Sequence, residues 1–596
     1  MYVWIILCAA LFGVSHAVAK TWFVSPIHGD DAQNGSVSAP WKSFEPVNKL
    51  ILQPGDVIRI TEPGMLKGSL APQGCGSSEA PIRVIFAPGD YEWEHNSLLQ
   101  QKLAISNTQD APFEPKAIAI ALMNVRHLQI EGSGATLYAR GKQVHLYLNH
   151  AEDIVIAGLG FDYRRPTVSE YTALQVGGTE ALIQIHPDSR YRIEGNRIVW
   201  VYDDGETNRT GEYLQRYDPM TGDVLRIGNN PAIDRNATTI ERIGTHLLKI
   251  TYSKNPGFKP GITYQHRLIR RDCAGVFCEE SARITYQNVR FHFLHGMGVV
   301  SQFSRDLTFD GVDLAPRKES GRTCSAWADM LHFSGCAGAL TIRNTHFSGS
   351  NDDAINVHGT HLRLEKACSP TQVIVRFMHH QTWGFKAFHA GDEVAFISRE
   401  TLLPYATATL TQATLSTDGK TMTLDFAEPL PEHVRYGSDV LENITWTPSV
   451  TISDCVVENI PTRGFLLTTR RPILVERVQF NRTGMSALLI ADDAGSWFES
   501  GQVTNMTVRS CVFSDCAEPV INVHPENRIV RENMPVHTHL TFTDNDFYLR
   551  NGQAFAFKSC AHITLLRNLL RGAKRLDDVL RTRACSDLRI EDNCLR

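Results

Sequence analysis

The sequence predicts an all-β solenoid, a right-handed parallel β-helix interrupted by two small β-rich, barrel-like modules. Three observations lead there: a short apolar pattern that recurs along the chain, a constant step between its copies, and two gaps too long for one coil. The pattern is an apolar residue, any residue, a second apolar residue, and a third about five positions on. It occurs at Ile154, Ile156 and Phe161, at Ile284, Tyr286 and Phe291, at Leu307, Phe309 and Leu314, and at Leu340, Ile342 and Phe347. Further copies begin at Val450, Ile473, Met506, Leu540, Ile563 and Leu588. The first two positions alternate with other residues, which is strand periodicity with one buried face.

The step fixes the architecture. Phe291 to Leu314, Val457 to Phe480 and Phe547 to Leu570 are each 23 residues, and other steps of 33 or 34 leave room for a ten-residue loop on one rung. Units of this length bury their core only against neighbours, so a solenoid accommodates 596 residues without several separate cores. The LxxLxLxxN signature of leucine-rich repeats is absent. Asn288, Asn344, Asn545, Asn568 and Asn593 follow the alternating segment, where a bend is expected, and Asn tolerates left-handed backbone there.

Two intervals break the step: 130 residues from Phe161 to Phe291 and 110 from Phe347 to Val457. Each predicts an inserted module. The second carries alternating runs such as Gln372–Val375 and Thr421–Leu424 with turn-forming Asp418 and Gly419, so small β-barrels are expected. The organisation read from the chain is a signal peptide over 1–19, β-helix over 20–161, an insert over 162–280, β-helix with the candidate catalytic rungs over 281–363, a second insert over 364–448, and β-helix over 449–596.

The leader rests on the apolar run Tyr2–Val14 followed by Ala17, Val18 and Ala19, a small-x-small cleavage pattern. It implies a secreted or periplasmic protein. No later apolar run is long enough to span a bilayer. A formal charge of −5, from 59 basic and 64 acidic residues, gives no concentrated basic surface for nucleic acid. The thirteen cysteines include no pair of CxxC motifs, so a zinc ribbon is excluded; Cys273 with Cys278 and Cys511 with Cys516 are either disulfide pairs or small buried core thiols. No cofactor or metal is expected, and the sequence leaves the oligomeric state open.

Chemistry enters where two rungs are aligned. Asp329-Met330-Leu331-His332-Phe333-Ser334-Gly335 matches Asp353-Ala354-Ile355-Asn356-Val357-His358-Gly359 at a separation of 24 residues. Adjacent strands lie about 4.8 Å apart, so Asp329 and Asp353 should stack, with Asp352 beside them. Three such carboxylates repel one another. They can share protons, which suits glycoside hydrolysis, or bind a cation, which suits a calcium-dependent lyase. Paired Asp residues also occur in polar turns, and Asp30-Asp31 and Asp492-Asp493 are read that way. Arg463 lies six residues after Val457, as Asp353 lies six after Phe347, so it can join the carboxylates or grip a sugar hydroxyl. Trp327 is a candidate stacking wall for a sugar or a core residue. His358 has a twin in His524 within a repeated Ile-Asn-Val-His, which makes it an element of the repeat more than a catalytic base. The candidate set is Asp329, Asp352 and Asp353 as catalytic carboxylates, with Trp327, Arg463, His358 and Asn351 on the substrate side.

The segments Ala328–Cys336 and Gly349–Thr360, together with His295-Gly296-Met297-Gly298 and Gln302-Phe303-Ser304, resemble the glycoside hydrolase family 110 α-1,3-galactosidases over most of the chain past the leader. That resemblance implies an exo-acting, inverting, metal-independent enzyme that removes terminal α-1,3-linked galactose, as in the blood group B determinant. A more distant similarity to polygalacturonases, which also use one Asp and then an Asp pair about a rung later, implies Asp352 as the acid and Asp329 with Asp353 as the base. Their uronate-gripping Arg-Ile-Lys has no copy here; Arg463-Gly464-Phe465 stands instead, which fits a neutral sugar. The alternatives are a β-helix polysaccharide lyase, a polygalacturonase-like hydrolase, or a glycan-binding solenoid without turnover.

Overall fold

The computed structural model describes residues 19–108, 114–209, 214–228 and 230–596. The leader expected over 1–19 therefore lies, but for Ala19, outside the described residues. Among them the chain is a parallel β-helix. One sheet of fourteen strands and two of thirteen run its length, and strands of successive rungs are neighbours in each. The apolar pattern explains the register. In the first sheet Ile154 pairs with Ile284, Ile284 with Leu307, Leu307 with Leu340, and Leu340 with Val450.

The second sheet carries the third member of the pattern. Leu314 pairs with Phe347, Phe347 with Val457, Val457 with Phe480, and the column continues through Phe513, Phe547 and Leu570. All are buried in one continuous core. Phe480, Phe513 and Phe547 stack with ring centroids 5.0 and 4.7 Å apart, an offset face-to-face arrangement that aromatic rings favour.

From Ala157 onward each rung passes from the first sheet to the second through one left-handed residue. Gly158, Asn288, Gly311, Asn344, Asp454, Arg477, Ser510, Asp544, Arg567 and Asp592 hold that position, all with φ between 52° and 69°. The asparagine expectation is met at Asn288 and Asn344 and corrected further along. At Asn545, Asn568 and Asn593 the left-handed residue is the one before. These three amides stack instead: Asn545 Nδ2 donates to Asn568 Oδ1 at 2.9 Å, and Asn568 Nδ2 to Asn593 Oδ1 at 2.9 Å. An inward-facing amide that donates and accepts along the axis satisfies buried polar groups rung by rung.

The two long intervals interrupt different turns. The first leaves the second sheet after Tyr163 and returns at Val276; its strands form a seven-stranded antiparallel sheet between Val168 and Arg267 and a smaller three-stranded one. Its end strands, Val224–Gly228 and Ala237–Gly244, do not pair with each other among the described residues. The second leaves the third sheet after Thr360 and closes into a six-stranded barrel between Leu362 and Asn443. The two modules thus flank the two ends of the third-sheet strands. Cys273, Cys278, Cys511 and Cys516 are all free thiols, buried in the solenoid, so the core-thiol reading of these residues holds. No helix among the described residues is long and apolar enough to cross a membrane.

If the phenylalanine column carries the stacking, Phe513→Ala should cost about 3–5 kcal/mol. Urea unfolding followed by intrinsic fluorescence measures it, and an unchanged midpoint would refute the assigned column.

Candidate active site

The third sheet pairs Leu331 with Ile355 and Ile355 with Phe465. Two residues before each partner stand Asp329, Asp353 and Arg463, so these three form one column on successive rungs. The backbone ties them: Met330 N–H donates to Asp353 O at 3.0 Å, and Ala354 N–H to Gly464 O at 3.1 Å. Asp352 stands beside the column, and one carboxylate oxygen from each of the three aspartates lies within 4.8 Å of the others.

Cations from two parts of the chain answer this charge. Arg463 donates its backbone N–H and its Nε to Asp353 Oδ1 at 3.1 and 2.9 Å, and its terminal nitrogen pairs with Oδ2 at 2.7 Å. That last contact is an ion pair without hydrogen-bond alignment. Arg226, from the first insert, pairs with Asp352 Oδ2 at 2.7 Å and donates to Asn351 O at 2.8 Å. Asp329 Oδ2 meets His332 Nδ1 at 2.9 Å.

The environments push the three acidities apart. Burial and the Asp352 charge raise Asp329 to about 7. Burial and the charges of Asp352 and Asp329 raise Asp353 to about 6, against the pull of Arg463. Burial also opposes ionisation of Asp352, but the guanidinium groups of Arg226, Arg463, Arg267 and Arg271 outweigh it and hold this carboxyl at about 2. At neutral pH the trio therefore has one firmly ionised member and two that titrate near the working range, a division typical of acid–base pairs.

An alpha-1,3-galactosidase A of Akkermansia muciniphila is 41% identical over 551 residues, covering 92% of this chain and 91% of that protein. An alpha-1,3-galactosidase A of Bacteroides thetaiotaomicron is 34% identical over 523 residues, covering 86% of this chain and 91% of its own. The chain belongs to the glycoside hydrolase family 110 α-1,3-galactosidases. The family description "GLAA-B beta-barrel domain II" matches residues 372–441, which lie in the closed barrel. Among solved structures, a GH136 lacto-N-biosidase from Eubacterium ramulus is 12% identical, covers 97% of this chain and 68% of its own, and superposes with a TM-score of 0.33, too low to carry an argument.

In this family 110 glycoside hydrolase the trio opens into a cavity of about 310 Å³. Its floor is the outer face of the third sheet, with Met297, Asn356, Leu466 and Leu489 around the aspartates. Its walls come from elsewhere. Arg271, on the return from the first insert, hydrogen-bonds Gln381 of the barrel. Asn107 Nδ2 donates to Glu499 Oε1 at 2.8 Å. Trp497 is 40% exposed, an unusual state for a pocket tryptophan, and packs on His379 with ring centroids 4.1 Å apart. Arg226, Arg271, Glu499, Asn107 and Trp497 escape sequence reading, because all sit on inserts or loops that carry no rung register.

The substrate-side candidates divide. Arg463 lines the cavity; Trp327, Asn351 and His358 do not. Trp327 is 3% exposed, with Arg267 stacked over its ring at 4.4 Å and His295 at its edge, so it has no open face for a sugar. Asn351 is buried and donates to Gln265 Oε1 at 3.1 Å, holding the strand entry to the first insert. His358 lies under the floor and contacts His332. Three close carboxylates can also share a cation; here the guanidinium groups of Arg226 and Arg463 pair with two of them and offset part of their charge. Asp31 and Asp493 match the polar-turn reading: Asp31 accepts the Lys42 and Ser43 N–H groups, and Asp493 those of Gly495 and Ser496.

Arg463 lowers the pKa of all three carboxyls, so its loss raises them. Arg463→Gln should reduce kcat/KM on the order of 10²-fold near pH 7. The acidic limb of its pH profile should move to higher pH; a limb that stays in place would remove Arg463 from the charge balance.

Proposed function

We propose that the protein is an exo-acting α-1,3-galactosidase that removes terminal galactose from glycans such as the blood group B determinant, with inversion, after export to the periplasm or medium. The observation that carries the catalytic part is the Asp329–Asp352–Asp353 trio, with its acidities driven apart, at the base of a cavity sized for one or two sugar rings. The relatives' names supply the sugar and linkage. The apolar leader supports export.

Hydrolysis needs one proton for the leaving oxygen and one carboxylate for water. Asp352 is the most open of the three: its side chain is 15% exposed, against 6% for Asp329 and 1% for Asp353. In this reading Asp352 meets the glycosidic oxygen, and Asp329 with Asp353 holds the water. At rest the proton lies on Asp329. Turnover begins with its transfer to Asp352 once the sugar has separated that carboxylate from Arg226. Water then attacks the anomeric carbon as its bond to the leaving oxygen breaks, Asp352 gives its proton to that oxygen, and the water proton passes to the base pair.

The roles make distinct forecasts. Asp352→Asn should lower kcat on a blood group B trisaccharide on the order of 10³-fold, within the range of general acid catalysis. It should lose far less on an aryl α-galactoside whose leaving group needs no proton. Equal losses on both substrates would move the acid to Asp329.

One observation favours retention as a second reading. Inverting carboxyl pairs commonly stand 6.5–9.5 Å apart, roughly, and retaining pairs about 5–5.5 Å, and this trio is compact. Inversion is then possible only if Asp329 and Asp353 share the water as a unit. Proton NMR of the first-formed sugar separates the readings: β-galactose is expected before mutarotation, and α-galactose would establish retention.

A further inference from the structure

Beside Asp329 two imidazoles from neighbouring rungs meet edge to face, two positions out of register. Asp329 Oδ2 meets His332 Nδ1 at 2.9 Å, His332 Nε2 meets His358 Nε2 at 3.0 Å, and His358 Nδ1 meets Gly359 O at 2.7 Å. Both rings are buried, with centroids 4.9 Å apart and planes crossed at 72°. The family reading gives neither histidine a task. The chain of contacts nevertheless constrains protons, because its last acceptor is a carbonyl, which never donates.

The count runs from that end. His358 Nδ1 must carry a proton to bond Gly359 O. A neutral imidazole has one donor and one acceptor nitrogen, so a neutral His358 presents a bare Nε2. His332 must then donate from Nε2, which leaves its Nδ1 bare, and Asp329 must donate from Oδ2. Three hydrogen bonds need three protons, and two neutral imidazoles supply two. The third belongs to Asp329, or to whichever ring takes it.

We infer that Asp329, His332 and His358 share a single proton and relay it between the catalytic trio and the cavity wall at Glu499. This rests on the hydrolase reading above for its use in turnover, though not for its existence at rest. His358 Nε2 lies 3.6 Å from Glu499 Oε1, and Glu499 lines the cavity. Transfer of the Asp329 proton to His332 Nδ1, with the His332 Nε2 proton passing to His358 Nε2, leaves Asp329 ionised. It leaves His358 an imidazolium beside the Glu499 carboxylate. No bond to carbon changes, and the chain keeps all its protons.

The charged groups facing this chain support both end states. Asp352 and Asp353 disfavour a charge on Asp329, while Arg271 and Arg463 favour one. Burial opposes charge on His332, and the neighbouring His358 adds to that. Burial likewise opposes charge on Glu499, and an imidazolium on His358 counters that most, with the Asn107 amide and Arg463 behind it. With the proton on Asp329 one carboxyl of the trio stays protonated in a site crowded with guanidinium groups, and with it on His358 Asp329 is ionised and Glu499 faces the imidazolium. His332 and His358 are positioning residues in this scheme, since they touch Asp329 or each other and do not line the cavity.

The test reads the resting protein first. In 15N-histidine-labelled enzyme, with signals assigned from His332→Gln and His358→Gln, NMR at neutral pH should find His332 protonated on Nε2 alone and His358 on Nδ1 alone. His332 protonated on Nδ1 alone beside a neutral His358 would break the count and overturn the proposal. The second reading is the pH profile of His358→Phe. Freed of its acceptor, His332 can turn its donor toward Asp329 and stabilise the carboxylate, so the limb set by Asp329 should move to lower pH by at least about one unit. KM should change little. An unmoved profile would strip the relay of its part in turnover. A protein inactive on every α-galactoside would instead reject the hydrolase reading while the nitrogen spectra stood.

Discussion

A parallel ladder can hold two like side chains about 4.8 Å apart and give them no freedom to separate, because the hydrogen bonds between rungs fix the register. That constraint places Asp329 against Asp353 through the pairing of Leu331 with Ile355. At this distance two ionised carboxylates repel by roughly 3 kcal/mol at an effective dielectric near 20, and Asp352 adds a third charge. The fold cannot relax the repulsion by sliding a strand, since a one-residue slip would turn the apolar column of the core to solvent. The remaining routes are protons and cations, and the site uses both.

The source of the cations gives the inserts a physical role. The solenoid supplies Arg463 from the next rung. Arg226 and Arg267 come from strands of the first insert, and Arg271 from its return to the third sheet. A bare β-helix presents short side chains on a flat outer face. It cannot bring four guanidinium groups over one column, because each rung contributes few residues there. A module anchored at the strand entry reaches across the face and delivers charge from the side. The barrel at the other end of the strands completes the enclosure through Gln381 and His379. Enclosure and charge compensation reinforce each other, since excluding water strengthens every ion pair inside.

What the sequence made legible follows the same division. Apolar periodicity exposed the three sheets, and the 24-residue offset placed Asp329 over Asp353 before any coordinates. The six-residue offset from Val457 likewise put Arg463 in the column. These succeeded because register is a property of the repeat. Arg226, Glu499 and Trp497 were invisible because their positions depend on how a loop or insert folds back, which no period encodes. Trp327 misled for a related reason: proximity in sequence to Asp329 suggested a shared surface, but Trp327 lies four residues before the strand Leu331–Ser334, where no strand alternation holds, and is buried under Arg267. His358, read as a repeat element and placed on the substrate side, is buried away from the cavity lining. Its proton-bearing contact with His332 could not be read from one line of residues, because it exists only between rungs.

The two Asp-Asp pairs on the third-sheet side show how little a dipeptide determines. At 492–493 the carboxylates do structural work. Asp493 accepts N–H groups from Gly495, Ser496, Trp497 and Phe498, so backbone donors stabilise its charge. Asp492 is buried near Glu442 and His361, and burial with the Glu442 charge pushes its pKa well above the ordinary carboxylate value. At 352–353 side-chain cations predominate, and the Arg463 N–H to Asp353 is the one backbone donor among the described residues. An N–H group fixed in a turn cannot be displaced without unfolding the turn, whereas a guanidinium on a flexible stem can yield its partner to an incoming ligand. Asp493 therefore fixes the turn that carries Trp497 and Glu499, and forms a rigid wall. Asp352 is held by a guanidinium that can let go, while Asp353 keeps one fixed backbone donor. The same residue pair thus builds both the immobile side of the cavity and its reactive floor, and the donors around it decide which.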